Sequence, residues 1–140
     1  MSQENEKCVI VVDQELPMGL IANTSAIMGI TLGMLHPEVV GKSVTDKSGR
    51  EHLGIIEFPV PILKSSKEEI KVIRERLYEE SFSDVICIDF SDVAQGCKTY
   101  DEFIEKMLDV PSEQLQYLGI CLCGPKKKVN KLTGAMPLLR

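Results

Sequence analysis

Basic charge is scarce in this sequence. Sixteen Lys and Arg stand against twenty-one Asp and Glu, a formal charge of −5 over 140 residues, whereas neutralising a phosphate backbone needs Lys and Arg clustered on one face. RNA or DNA is therefore a disfavoured partner. The deficit is uneven. Five basic residues and no acid lie between Lys126 and Arg140, so the first 125 residues carry eleven basic against twenty-one acidic groups, or −10.

Paired cysteine motifs are missing as well. Cys8, Cys87, Cys97, Cys121 and Cys123 are an odd set without C-x-x-C spacing, and the stretch Met1 to Lys7 is polar and mostly acidic where a secretory leader is basic. Reduced thiols and a cytoplasmic location are expected. With 44% apolar residues, ten Gly and seven Pro, the chain hides about two-thirds of its unfolded surface on folding. A disulfide mini-protein, a collagen-like chain and a disordered tail are excluded. Internal repeats and low-complexity tracts are also lacking, so residues 1–140 read as a single α/β domain.

Charge is absent altogether from Pro17 to His36, a stretch that contains Gly29-x-x-x-Gly33. Asn23, Thr24, Ser25 and Thr31 interrupt it and no basic flank orients it, so no membrane span is expected. The alternative is a helix buried on most sides, with the two glycines allowing close backbone approach.

What is present is an alternation of strands and helices. Cys8 to Val12 is a continuous β-branched run, suited to a central, parallel-type strand covered on both faces. Pro17 opens the apolar helix and His36-Pro37 ends it. Asp46 to Arg50 has turn chemistry, with Leu53 to Ile56 as the second arm of a hairpin. Pro59 and Pro61 flank an extended piece through Leu63. Overlapping capping boxes, Ser65 with Glu68 and Ser66 with Glu69, open a helix with Ile70, Ile73 and Leu77 on one face. Val85 to Ile88 is the next buried strand. Thr99 with Glu102 opens a further helix ending at Pro111. Tyr117 to Cys123 is the last buried run, after which Lys126 to Leu132 forms a short helix. This order predicts helices on both faces of one sheet.

Several motifs carry a functional and a structural reading. Gly41-Lys42-Ser43 ends like a phosphate loop, but His36 stands where that motif needs glycine and a helix precedes it, so a surface turn is expected. Cys121 and Cys123 share one strand face but have no second thiol pair and no histidine near in sequence, so they read as core thiols. Cys97, beside Lys98, has the neighbouring cation of a reactive thiol but no placed base. No metal and no cofactor are expected. Asp13 and Asp89 each follow a strand, where open α/β sheets bind ligands, and each is also suited to cap the following turn. Lys126, Lys127 and Lys128 oppose the dipole of their own helix, either as a solvated charge run or as an anion site.

Together these residues resemble the type-2 peptidyl-tRNA hydrolase superfamily and, more closely, a small uncharacterised bacterial family of unknown function that shares its fold. The resemblance rests on Lys7 to Ala26 (KCVIVVDQELPMGLIANTSA) and Leu118 to Leu138 (LGICLCGPKKKVNKLTGAMPL), with Ile62-Leu63-Lys64 and Ile88-Asp89 between them. It implies a three-layer sandwich, a mixed and mostly parallel sheet of about four strands with helices on both faces, and a homodimer. The hydrolases' lysine after Met-Gly is lacking here after Met18-Gly19. Thr24 and Ile27 replace a Gln and a His. Asp89-Phe90-Ser91-Asp92 replaces an acid followed by Ala-Gly and a threonine, and Thr99 to Leu108 is an insertion. Ordinary peptidyl-tRNA hydrolysis is therefore not expected.

Three functions follow as expectations. The first is a binding protein whose crevice of Asp13, Met18, Gly19, Asn23, Asp89 and Lys126 to Lys128 holds a small anionic or nucleotide-like ligand. The second is a divergent ester hydrolase in which Asp89 or Asp13 orients water and a lysine stabilises the oxyanion. The third is a structural dimer module.

Overall fold

A computed structural model describes residues 5–140 of the chain; Met1 to Glu4, on which part of the leader reading rests, lie outside the described residues. The β-branched run forms β1 (Glu6–Asp13), buried from Cys8 onward. With β4 (Ile62–Ser65), β5 (Ile86–Ser91) and β6 (Tyr117–Pro125) it makes a four-stranded sheet in the order β4-β1-β6-β5. β4, β1 and β5 point one way and β6 opposes them. The sheet is mixed, as expected, and two of its three pairings are antiparallel. β1 is central, but it is parallel to its neighbour only on the β4 side.

The apolar stretch folds as α1 (Met18–Leu35), 18 residues long. That is about 27 Å of helix, close to the length of the eight-residue β1 at about 26 Å. The helix therefore returns along the strand and leaves His36 beside Glu6, at the strand's beginning.

Alternation along the strands divides the core in two. Val9, Val11, Ile120 and Leu122 lie under α2 (Lys67–Arg76) and α5 (Lys126–Thr133), which add Ile70, Ile73, Val129 and Leu132. Cys8, Ile10, Val12, Cys121 and Cys123 lie under α1. Gly119 is what lets α1 approach: a Cβ there would stand 2.9 Å from the Val11 carbonyl oxygen and 3.1 Å from Met28 Cε.

The expected burial of α1 on most sides is overturned. Only Thr24, Met28 and Leu32 are buried, while Met18, Ile30 and Met34 are 85%, 76% and 74% exposed. Among the described residues, no atom outside the helix comes within 4 Å of a Cβ built on Gly29 or Gly33. The reason is architectural: α1 is the outer layer on its face, and among the described residues nothing packs over its outer side. Among the described residues it is the one helix long and apolar enough to cross a membrane by length and composition.

Caps follow the sequence closely. Ser66 Oγ accepts from the Glu69 N–H at 3.1 Å, whereas Ser65 ends β4 and donates to Glu69 Oε2. Thr99 Oγ1 accepts from the Glu102 N–H at 3.1 Å and opens α4 (Tyr100–Leu108). A short α3 (Asp92–Gly96) precedes it, capped by Ser91. In the hairpin, β2 (Val44–Thr45) pairs with β3 (Glu51–His52) around Gly49 at φ +86°, and the Gly41 N–H donates to the Ile55 carbonyl. Gly41-Lys42-Ser43 is thus part of a hairpin arm.

The expectation of reduced thiols throughout is also corrected. The β1–β6 register sets Cys8 opposite Cys123 with Cα atoms 4.2 Å apart, and the two are joined in a disulfide. A separation of 115 residues gives no local sign of that pairing. Cys87, Cys97 and Cys121 are free.

Candidate functional site

The expected site residues fall at two ends of the sheet. Asp13 ends β1, Met18, Gly19 and Asn23 open α1, and Asp89 lies near the end of β5. Lys126 to Lys128 lie at the far end, because β6 opposes β1: Pro125 pairs with Glu6, while Ile120 pairs with Asp89. Six residues of strand separate Ile120 from Lys126, about 20 Å. The single crevice expected to unite Asp89 with the lysines is therefore not formed, for this reason of strand direction. Lys128 Nζ instead donates to Asp84 Oδ1 at 2.8 Å and holds that carboxyl below its usual range. This contact also relieves the clash of the lysine run with its helix dipole.

Asp13 takes its capping reading. Its Oδ1 accepts from the Glu15 N–H at 3.0 Å and closes the turn into α1. Asp89 does more. Its Oδ2 accepts from Arg74 Nε at 2.8 Å, and the Arg74 guanidinium lies 4.2 Å from the centre of the Tyr78 ring. Burial pushes the neighbouring Cys87 thiol up to about 12, and burial followed by the Asp89 charge does the same for the Tyr117 phenol. Both groups are thereby held in their neutral forms at neutral pH. Sequence reasoning missed Arg74, yet a signal existed: Ile70, Ile73, Arg74 and Leu77 are spaced i, i+3, i+4, i+7, which puts a cation on the helix's inward face and demands a partner.

On the α1 side of β5 there is an open groove of about 400 Å³ between α1, the edge strand and the α3–α4 segment. Ile27, Ile88, Phe90 and Phe103 give it apolar walls, and Thr31, Cys97, Lys98 and Thr99 supply hydroxyl, thiol and ammonium groups. Tyr100 meets Phe103 edge-on at 5.5 Å. The volume lies in the range of small-molecule sites, and mostly apolar walls with a few polar groups are their usual chemistry. Asp89 lines this groove too, while its carboxylate is turned to α2. Cys97, singled out by its neighbour Lys98, is half-buried in the wall.

A third grouping sits where β1 begins. Donor atoms of Glu6, His36 and Cys123 lie within 4.8 Å of one another. His36 Nε2 contacts Glu6, and Nδ1 lies 2.5 Å from Glu38 Oε2. Burial pulls the imidazole's pKa down, but these two hydrogen bonds outweigh it and raise it. Neither Glu6 nor His36 was singled out by the sequence, since 30 residues divide them and 117 divide Glu6 from Cys123.

Over residues 6–140 the sequence matches a family described as "Protein of unknown function (DUF2000)". Among solved structures, a protein of unknown function from Agrobacterium tumefaciens strain C58 is similar with a TM-score of 0.85. The match covers 96% of this chain and 97% of that one at 16% identity, a likeness of fold. No curated protein matches the chain.

Proposed function

The chain belongs to the DUF2000 family of unknown function, and within that family we propose a binding protein for a small nucleotide-like ligand, an aromatic ring carrying one anionic group. The observation that supports this is the groove beside β5. Tyr100 and Phe103 offer aromatic surface to a ring, Thr31 and Thr99 offer hydroxyls, and Lys98 is the cation at the groove. Asp89 serves as a positioning residue, since its bond to Arg74 ties β5 to α2. An ester hydrolase has less support: the Asp89 carboxylate is engaged by Arg74, and the lysines assigned to the oxyanion stand at the other end of the sheet. In this reading the fold is of the type-2 peptidyl-tRNA hydrolase kind and the protein is cytoplasmic. The test is a thermal-shift and NMR titration with nucleoside monophosphates and simple aryl phosphates. Resonances of Ile27, Tyr100 and Phe103 are expected to move, and Tyr100→Ala with Phe103→Ala to abolish the shifts. A flat titration across the series overturns the reading.

Self-association has an observation of its own. The exposed side of α1 carries small residues at Gly19, Ala22, Ala26 and Gly29 beside the large, exposed Met18, Ile30 and Met34. One helix thus presents both groove and ridge without any charge, a pattern complementary to a second copy of itself across a two-fold axis. Light scattering after size exclusion is expected to give a dimer, and Ile30→Glu a monomer. A monomeric parent protein at high concentration would remove this reading.

A further inference from the structure

The strand registers and the return of α1 gather four donors of metal-ligand type at one end of the sheet. Glu6 and Cys8 are two residues apart on β1 and so face the same side, Cys123 is the cross-strand partner of Cys8, and His36 is the residue that ends α1. Glu6, His36 and Cys123 already hold their donor atoms within 4.8 Å of one another, with Cys123 Sγ 3.8 Å from Glu6 Oε1. A tetrahedral zinc ion bonded at 2.0 to 2.3 Å has donor-to-donor edges of about 3.3 to 3.8 Å. The fourth donor, Cys8 Sγ, is the atom bonded to Cys123 Sγ.

Two further features fit a cation and not merely an ion pair. The second ring nitrogen of His36 is held by Glu38 Oε2 at 2.5 Å, the carboxylate support that orients metal-binding imidazoles. The cluster is also shielded: Cys8 and Cys123 are 0% and 1% exposed, and the Glu6 side chain is 9% exposed. Two thiolates with an imidazole and a carboxylate make a set that selects a borderline-soft ion over Mg²⁺ or Ca²⁺.

We propose that Glu6, Cys8, His36 and Cys123 form a redox-gated binding site for a thiophilic divalent cation of the Zn²⁺ type. In the disulfide state the two sulfurs are bonded to each other and the site is closed to metal. A thiol reductant opens it: the S–S bond takes two electrons and two protons from two reductant thiols, which leave as their own disulfide, and Cys8 and Cys123 become free thiols. Binding of Zn²⁺ then forms two Zn–S bonds, one Zn–N bond to His36 Nε2 and one Zn–O bond to Glu6. It releases both thiol protons and the proton held between His36 and Glu6. The ion would fasten the start of β1, the end of α1 and the end of β6 to one point.

Cobalt(II) is the probe that tests this. Protein reduced with a dithiol and desalted without air is expected to bind one equivalent, giving tetrahedral d–d bands and a thiolate-to-cobalt charge-transfer band that Zn²⁺ removes. Oxidised protein is expected to give neither band. His36→Ala, at a half-exposed helix end, keeps the fold by circular dichroism and loses the tetrahedral spectrum. Glu38→Gln is expected to weaken binding about tenfold. Reduced protein without a charge-transfer band overturns the proposal, as does a His36→Ala variant whose spectrum and affinity match the parent.

Discussion

The two faces of the central sheet are finished in different ways. Under α2 and α5 the core is closed: both helices are amphipathic, and Ile70, Ile73, Val129 and Leu132 turn inward against Ile120 and Leu122. Under α1 the inner row is just as buried, but the helix above it is apolar on its outer side as well. The groove beside β5, the Glu6–His36–Cys123 cluster and the uncharged ridge of α1 all belong to this second face. One side of the sheet is covered by two amphipathic helices, while the other carries the groove, the donor cluster and an uncharged apolar ridge.

Large-to-small substitution is the strongest way to break that contrast. Leu122→Ala, at a fully buried site on the closed face, is expected to lose about 3–4 kcal/mol in urea denaturation. Ile30→Ala, on the outer side of α1, is expected to change stability by about 0.5 kcal/mol or less and to act only on self-association. Equal losses at the two positions would mean that α1 is covered within the monomer after all.

Alkaline titration tests whether both inner rows are equally dry. Burial pushes Cys87, on the closed face, and Cys121, under α1, each up to about 12. A thiol whose folded pKa is raised contributes stability that is complete below the unfolded value near 9 and is lost as pH rises from there toward 12. Each thiol should add a slope of about 1.4 kcal/mol per pH unit in that window. Cys87→Ala and Cys121→Ala should each flatten the decline. If only Cys87→Ala does so, water reaches the row beneath α1.

Close approach of α1 to β6 gives a smaller effect. Gly119→Ala would drive a methyl group to 2.9 Å from the Val11 carbonyl oxygen and 3.1 Å from Thr24 Cγ2 and Met28 Cε. A loss of about 1–3 kcal/mol is expected from overpacking, read as a lower denaturation midpoint. An unchanged midpoint would show that α1 lifts away freely.

Which parts of this were legible beforehand follows from what local patterns encode. β1, β5 and β6 could be read from their continuous apolar runs, and α2 and α4 from Ser66 with Glu69 and Thr99 with Glu102, because those signals act within a few residues. The direction of β6 could not. A buried strand looks the same run either way, so the placement of Lys126 to Lys128 beside Asp89 was lost with it. The outer face of α1 was illegible for a related reason: an all-apolar helix has no polar stripe to say which side is out. Arg74 was readable in principle from its place between Ile70 and Leu77. Glu6, His36 and Cys123 were not, since only the assembled sheet brings them together.

Buried hydroxyls offer the finest comparison of the two faces. Thr133, in the closed layer, donates from Oγ1 to the Val129 carbonyl at 2.8 Å. Thr24, beneath α1 and fully buried, has no hydrogen-bond partner for its Oγ1 among the described residues. Replacing a hydroxyl by a methyl group of similar shape removes a bond in the first case and an unmet desolvation cost in the second. Thr133→Val is therefore expected to lose about 1 kcal/mol, and Thr24→Val to gain about 1 kcal/mol. Opposite signs in paired urea titrations would confirm that the α1 face tolerates a polar defect that the closed face has resolved. A loss in both would mean that the Thr24 hydroxyl finds a partner in solution, a water or a second copy of the chain seated on α1.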